Sequence, residues 1–192
     1  MRQSVLTTAV VLALGAAPAF AAQKTTAAPH KQTSTAKAAN DNTFVTKAAE
    51  GGLAEVELGK LATEKASSDQ VKQFGQRMVD DHSKANDELK TLAQQKNITL
   101  PTSISAKDKA ERDRLMKLSG AAFDRAYMSA MLSDHKKDVS EFRVESTSGK
   151  DADIKAFAAK TLPTLEEHLK LAQDANKAVG TSGTMPKKTP KK

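Results

Sequence analysis

The 192-residue chain carries 30 Lys/Arg against 23 Asp/Glu, a net charge of +7, and no cysteine. The missing cysteine excludes a disulfide framework and a lipid-acceptor thiol, so a folded domain must be held by its apolar core alone. The charge does not imply a nucleic-acid partner. Arg2, Lys24, Lys31, Lys37, Lys187, Lys188, Lys191 and Lys192 sit in the flanks, and residues 42–179 are balanced in sign, without the basic face a DNA-binding domain needs.

Residues 1–21 read as a secretory signal peptide. Met1-Arg2-Gln3 is a short basic start, an apolar stretch from Val5 to Leu14 follows, and Ala19-Phe20-Ala21 fits a small-x-small cleavage pattern. The apolar run is shorter than the roughly 20 residues a membrane span takes. The expectation is cleavage near Ala21 and a soluble mature protein, periplasmic or secreted, with no transmembrane segment. Residues 22–42, which include His30, have no apolar period and read as a disordered linker. Residues 179–192 read as a disordered Lys-rich tail, able to touch anionic surfaces weakly.

Between the flanks the pattern is helical. A first helix is expected over Thr43–Ala66, with Phe44, Ala48, Leu53, Val56 and Leu61 among its apolar residues. Gly51, Gly52 and Gly59 weaken it by about 1 kcal/mol each against alanine, a cost that often marks close helix approach. Ser67-Ser68-Asp69 ends it and caps a second helix over Gln70–Lys96, whose stripe is Val71, Phe74, Met78, His82, Ala85, Leu89 and Leu92. After the Pro101 loop, Ser105 caps a short helix over Ala106–Leu118, and Gly120 marks a break. A third long helix spans Ala121–Ser146, with Phe123, Tyr127, Met131, His135, Asp138 and Phe142 inward. Ser148-Gly149-Lys150-Asp151 is a turn. A fourth long helix spans Ala152–Ala178, with Ile154, Phe157, Thr161, Leu165, His168 and Ala172 inward and a bend expected near Lys160 from Pro163. The loop lengths predict an all-α fold over residues 43–178: a ferritin-like four-helix bundle with an extra short helix in the crossover between long helices 2 and 3.

His82, His135 and His168 each follow an acid directly, on three different long helices. One reading makes them half-buried, hydrogen-bonded boundary residues. The other makes them a metal site in the bundle core for Fe, Zn or Cu. In that case Glu50 and Glu57, seven apart on one face of the first helix, and Asp138, one turn below His135, are further candidate ligands. The di-iron signature Glu-x-x-His is missing, because Val79, Leu132 and Leu165 stand three before the histidines. Met78, Met116, Met128 and Met131 read as core filler before copper ligands. No catalytic triad or phosphate loop is present, and no catalytic residue is assigned.

The runs Phe44–Ala62, Val71–His82 and Leu162–His168 closely resemble the exported bacterial family DUF4142, a domain of unknown function. Its members are often labelled outer membrane proteins and are similar to the ferritin-like helical superfamily. The resemblance covers about residues 43–178, implies the same helical fold and export, and brings no catalytic residues. The sequence itself has no barrel-like alternation. The function expected is a binding or structural module of the cell envelope with an unknown envelope partner; the alternative is a metal-binding protein.

Overall fold

The computed structural model describes residues 40–181. The expected signal peptide, nearly all of the linker and nearly all of the tail lie outside the described residues. Among the described residues there are five α-helices and no strand: α1 (Asp41–Lys65), α2 (Asp69–Gln95), α3 (Ala106–Met116), α4 (Gly120–Ser148) and α5 (Ala152–Thr181). No helix among them is long and apolar enough to cross a membrane.

The helix ends follow local chemistry. α1 starts two residues before Thr43 because Asn40 caps it, its side-chain oxygen accepting the Thr43 N–H at 3.2 Å. That bond satisfies one of the donors a helix start leaves open. Ser105 opens α3 in the same way, accepting the Asp108 N–H at 3.2 Å. Ser68 departs from expectation. It holds the N-cap position of α2, but its side chain makes no capping bond. The turn is instead closed from α4: buried Asp124 accepts the N–H groups of Ser67 and Ser68, each at 3.0 Å, together with the Ser67 hydroxyl. Gly120 has φ +58°, a left-handed conformation that glycine adopts without a Cβ penalty, and so turns the chain into α4. α5 continues unbroken through Pro163.

α1 packs along α2 and α4 along α5, α2 meets α5, α1 meets α4, and α3 lies against α1 and α4. The α1–α2 approach is close because two glycines face each other. A Cβ on Gly59 would stand 2.7 Å from the Gly75 carbonyl oxygen, and one on Gly75 would stand 2.9 Å from the Gly59 carbonyl. Backbone cannot yield cheaply, so Gly59→Ala should destabilise the fold by about 2 kcal/mol despite its better helix propensity; chemical denaturation reads the loss.

The expected stripes of α2, α4 and α5 face inward. Val71, Phe74, Met78, Phe123, Tyr127 and Met131 fall in one apolar cluster, and Leu89, Val139, Phe142, Ile154, Phe157 and Leu165 in another. Met78, Met128 and Met131 are buried core, whereas Met116 is exposed. Between the two clusters each long helix contributes one buried polar side chain: Glu55, His82, His135 and His168. The core is thus interrupted at one level by a polar layer.

Candidate metal centre

The three histidines inherit their inward direction from helical periodicity. His82 lies four residues after Met78, His135 four after Met131, and His168 three after Leu165, spacings that stack side chains on one helix face. The outcome is convergence. One ligand nitrogen from each ring lies within 4.8 Å of the other two, and the ring centroids are 5.3, 5.4 and 5.9 Å apart. His82 is 7% exposed, and His135 and His168 are fully buried. They are not half-buried boundary residues.

Hydrogen bonds fix the tautomer of two of the rings. His135 Nδ1 lies 3.0 Å from the Met131 carbonyl oxygen. A carbonyl only accepts, so Nδ1 carries the proton and Nε2 presents a bare lone pair. His168 Nε2 lies 2.9 Å from Asp81 Oδ2 and donates to it, which leaves Nδ1 unprotonated. His135 Nε2, His168 Nδ1 and His82 Nε2 are all buried without a hydrogen-bond partner. Structural histidines in a core find partners for their nitrogens; three orphaned ring nitrogens in one cluster need another explanation.

Electrostatics keeps the rings neutral. Burial, helped by the other two histidines, drives His82 down to about 3. Burial drives His168 down to about 4, against the opposing pull of Asp81. His135 is lowered by burial as well. At neutral pH all three are neutral imidazoles, the form that binds metals.

The acids beside the histidines serve neighbouring helices. Burial raises Asp81, but hydrogen bonds from His168 and Arg77 outweigh it and hold the carboxylate below its usual range. Arg77 donates to Asp81 at 3.0 Å and to Glu167 at 2.9 Å. Asp81 on α2 therefore orients an imidazole on α5, a carboxylate–histidine arrangement known to tune ligands in metal sites. Asp81→Ala should weaken metal affinity about 10- to 100-fold, read by competition against a chromophoric chelator.

The carboxylates expected from α1 are not at the centre. Glu57 pairs with Arg112 of α3 at 3.1 Å. Glu50 lines a separate acidic cavity, and half-buried Asp138 lines that cavity together with a smaller one that also borders His82. The α1 acid that does reach the layer is Glu55, unmarked in the sequence reading. It is 3% exposed, with Oε1 3.6 Å from His135 Nδ1. Burial, reinforced by Asp134 and Asp108, pushes it up to about 8. A second reading of the α1 periodicity could have found it: Glu55 falls on the line of Val45, Ala49, Gly52, Gly59 and Ala62, all buried.

The fold and this layer define an all-helical protein with a cluster of three buried imidazoles. The family model described as domain of unknown function DUF4142 matches residues 25–175, and the chain belongs to that family. No curated protein matches it in sequence. Among solved structures, CopM in its Cu(II)-bound form is similar with a TM-score of 0.63 at 16% identity, over 74% of this chain and 99% of that one. A DUF305 protein from Streptomyces coelicolor has a TM-score of 0.62 at 15% identity, over 73% and 92% of the two chains. A conserved hypothetical protein from Mycobacterium tuberculosis has a TM-score of 0.55 at 16% identity, over 79% and 96%. At such identities the likeness is one of fold.

Proposed function

We propose that this protein is a metal-binding module of the cell envelope, in which His82, His135 and His168 hold one transition-metal ion. The observation that carries this reading is the convergence of three buried, neutral imidazoles, each with a buried ring nitrogen that has no other partner. The long helices α1, α2, α4 and α5 form a ferritin-like four-helix bundle around the site, with α3 as the extra helix of the crossover. The signal-peptide pattern of residues 1–21 supports export.

Imidazole suits Cu, Zn and Fe, and at equal access the Irving–Williams order favours copper. A similar fold holds Cu(II) in CopM, which makes copper the first metal to test. Nitrogens about 2.0–2.1 Å from a tetrahedral ion stand about 3.4 Å apart. The present spread of up to 4.8 Å therefore closes by small ring movements. Three nitrogen ligands leave a further position open, but no residue here supports a particular reaction, and redox or hydrolytic chemistry is no part of the reading.

The test is metal uptake by chain purified without a histidine tag, titrated with Cu(II), Zn(II) and Fe(II), beside a His82→Ala/His135→Ala/His168→Ala variant. One equivalent bound by wild type and none by the variant is expected. A wild type that takes up none of the three metals at stoichiometric level would end the proposal and leave a structural or partner-binding bundle.

A further inference from the structure

On the side of the histidine layer where α3 covers α1 and α4 lies a cavity of about 200 Å³. Five acidic side chains line it: Glu50, Glu55, Asp108, Asp134 and Asp138. Lysines in its wall do not neutralise them. Lys47 and Lys137 both pair with Glu141, outside this cavity, at 3.6 and 3.9 Å, and only Lys107 pairs with a lining acid, Asp134, at 3.6 Å. An acidic surface alone means little. The telling feature is Glu55, which lines the cavity while 3% exposed and whose Oε2 is buried with no hydrogen-bond partner. A buried carboxyl oxygen left without a hydrogen-bond partner costs stability unless something fills the position.

This cavity adjoins the histidines. Lys47, Gly51 and Asp138 line both it and a second cavity of about 30 Å³, walled by His82; the latter has room for about one water. Gly51 has no packing reason to be glycine, since a Cβ there would meet nothing within 4 Å. Its lack of a side chain leaves open space where the two cavities meet, at a helix-propensity cost of about 1 kcal/mol.

We propose that the acidic cavity is a second cation site, a holding site for a hydrated divalent cation on its way past Gly51 to the three histidines. The destination rests on the metal-binding reading above; the holding site does not. Its carboxylates do not converge as the imidazoles do, and among the described residues the three histidines form the one cluster tight enough to ligate an ion directly. The cavity therefore takes an oxygen-preferring cation through its water shell, as such ions are commonly held.

Mn(II) is the probe, because its aquo-ion EPR signal falls on binding. The full chain, the triple histidine→alanine variant and that variant carrying Glu55→Gln and Asp138→Asn are titrated after circular dichroism has established that each is helical. The histidine-free variant should retain Mn(II) binding, and the two added changes should weaken it about tenfold or more, because a cation favours ionisation of buried carboxyl groups beside it and an amide cannot ionise. In the wild-type background, Gly51→Leu should slow Cu(II) uptake in stopped flow about tenfold without changing the final amount bound, while helicity holds or rises. Mn(II) binding that is absent from wild type, or indifferent to Glu55 and Asp138, overturns the holding site. An unchanged uptake rate in Gly51→Leu overturns the passage. Failure of the histidine centre shows separately, as wild type that takes no copper, and the Mn(II) titration still decides the holding site.

Discussion

A His135→Leu chain stripped of metal should unfold at higher denaturant than stripped wild type, and the order should reverse when both are loaded. His135 is fully buried, and its Nε2 has no partner. Leucine has similar bulk and no polar atom to desolvate; it gives up the Nδ1 bond, but the Met131 carbonyl keeps its helical N–H partner, so removing the orphaned nitrogen returns about 1 kcal/mol net. It also deletes a ligand. Wild type in metal at a thousandfold excess over its dissociation constant gains about 4 kcal/mol by mass action, and the variant gains nothing comparable. A purely structural histidine, with both ring nitrogens bonded, gives the opposite sign in the stripped state, because replacing it breaks satisfied bonds and relieves no orphan. Denaturant titration of both chains, each with chelator and with metal, separates the two cases. The crossing of the curves is the signature of a residue kept for binding at the expense of stability.

The second large effect is a pH dependence far from the histidines. Glu145 is 1% exposed, beneath the α4–α5 turn, where a Cβ on Gly149 would stand 2.6 Å from its Oε1. Burial, then the charge of Asp41 and a hydrogen bond to it, push Glu145 up to about 7 from 4.5. Asp41 behaves oppositely. Burial raises it, but the backbone N–H groups of Lys150 and Asp151, at 2.7–3.2 Å, outweigh that and hold it ionised below its usual range. Glu145 is therefore the protonated partner of a carboxyl–carboxylate pair that ties the start of α1 to the α4–α5 turn. Between pH 4.5 and 7 the folded chain binds more protons here than the unfolded chain. The pair's stabilisation is complete below pH 4.5 and is lost as pH rises through 7, a loss of about 3 kcal/mol. Glutamine keeps the donor and removes the proton equilibrium. Glu145→Gln should match wild type near pH 4.5 and exceed it by about 3 kcal/mol at pH 8. His82 and His168 act in the other direction, their stabilisation lost as pH falls below 6.5, and this cancels in the comparison of the two chains. Parallel pH profiles for both would show that Glu145 titrates normally.

Much of the helical layout was legible in the residues. Three-to-four spacing of large apolar side chains placed α2, α4 and α5 and their inward faces, because an alternation of Leu, Phe and Met with charged residues leaves little choice of face. α1 was read less well. Its buried line runs through Ala49, Gly52, Glu55, Gly59 and Ala62, residues too small or too polar to stand out, while Leu53, Val56 and Leu61, which looked like core, are only partly buried. Hence Glu50 and Glu57 were named and Glu55 was missed.

By itself the sequence determined the elements, the absence of a disulfide framework, and the fact that each of three helices carries a histidine on its apolar stripe. Helical periodicity is local, and local spacing suffices to say which way a side chain leaves its own helix. It cannot set the relative height of helices that meet only on folding. Whether the three imidazoles share one level depended on helix register, set by contacts such as the Gly59–Gly75 approach and the Asp124 bonds to Ser67 and Ser68. The tertiary structure alone decided that their nitrogens lie within 4.8 Å of one another, that Asp81 orients the histidine of another helix, and that Glu57 is taken by Arg112. Each of these joins residues far apart in the chain through bonds that no pattern along it encodes.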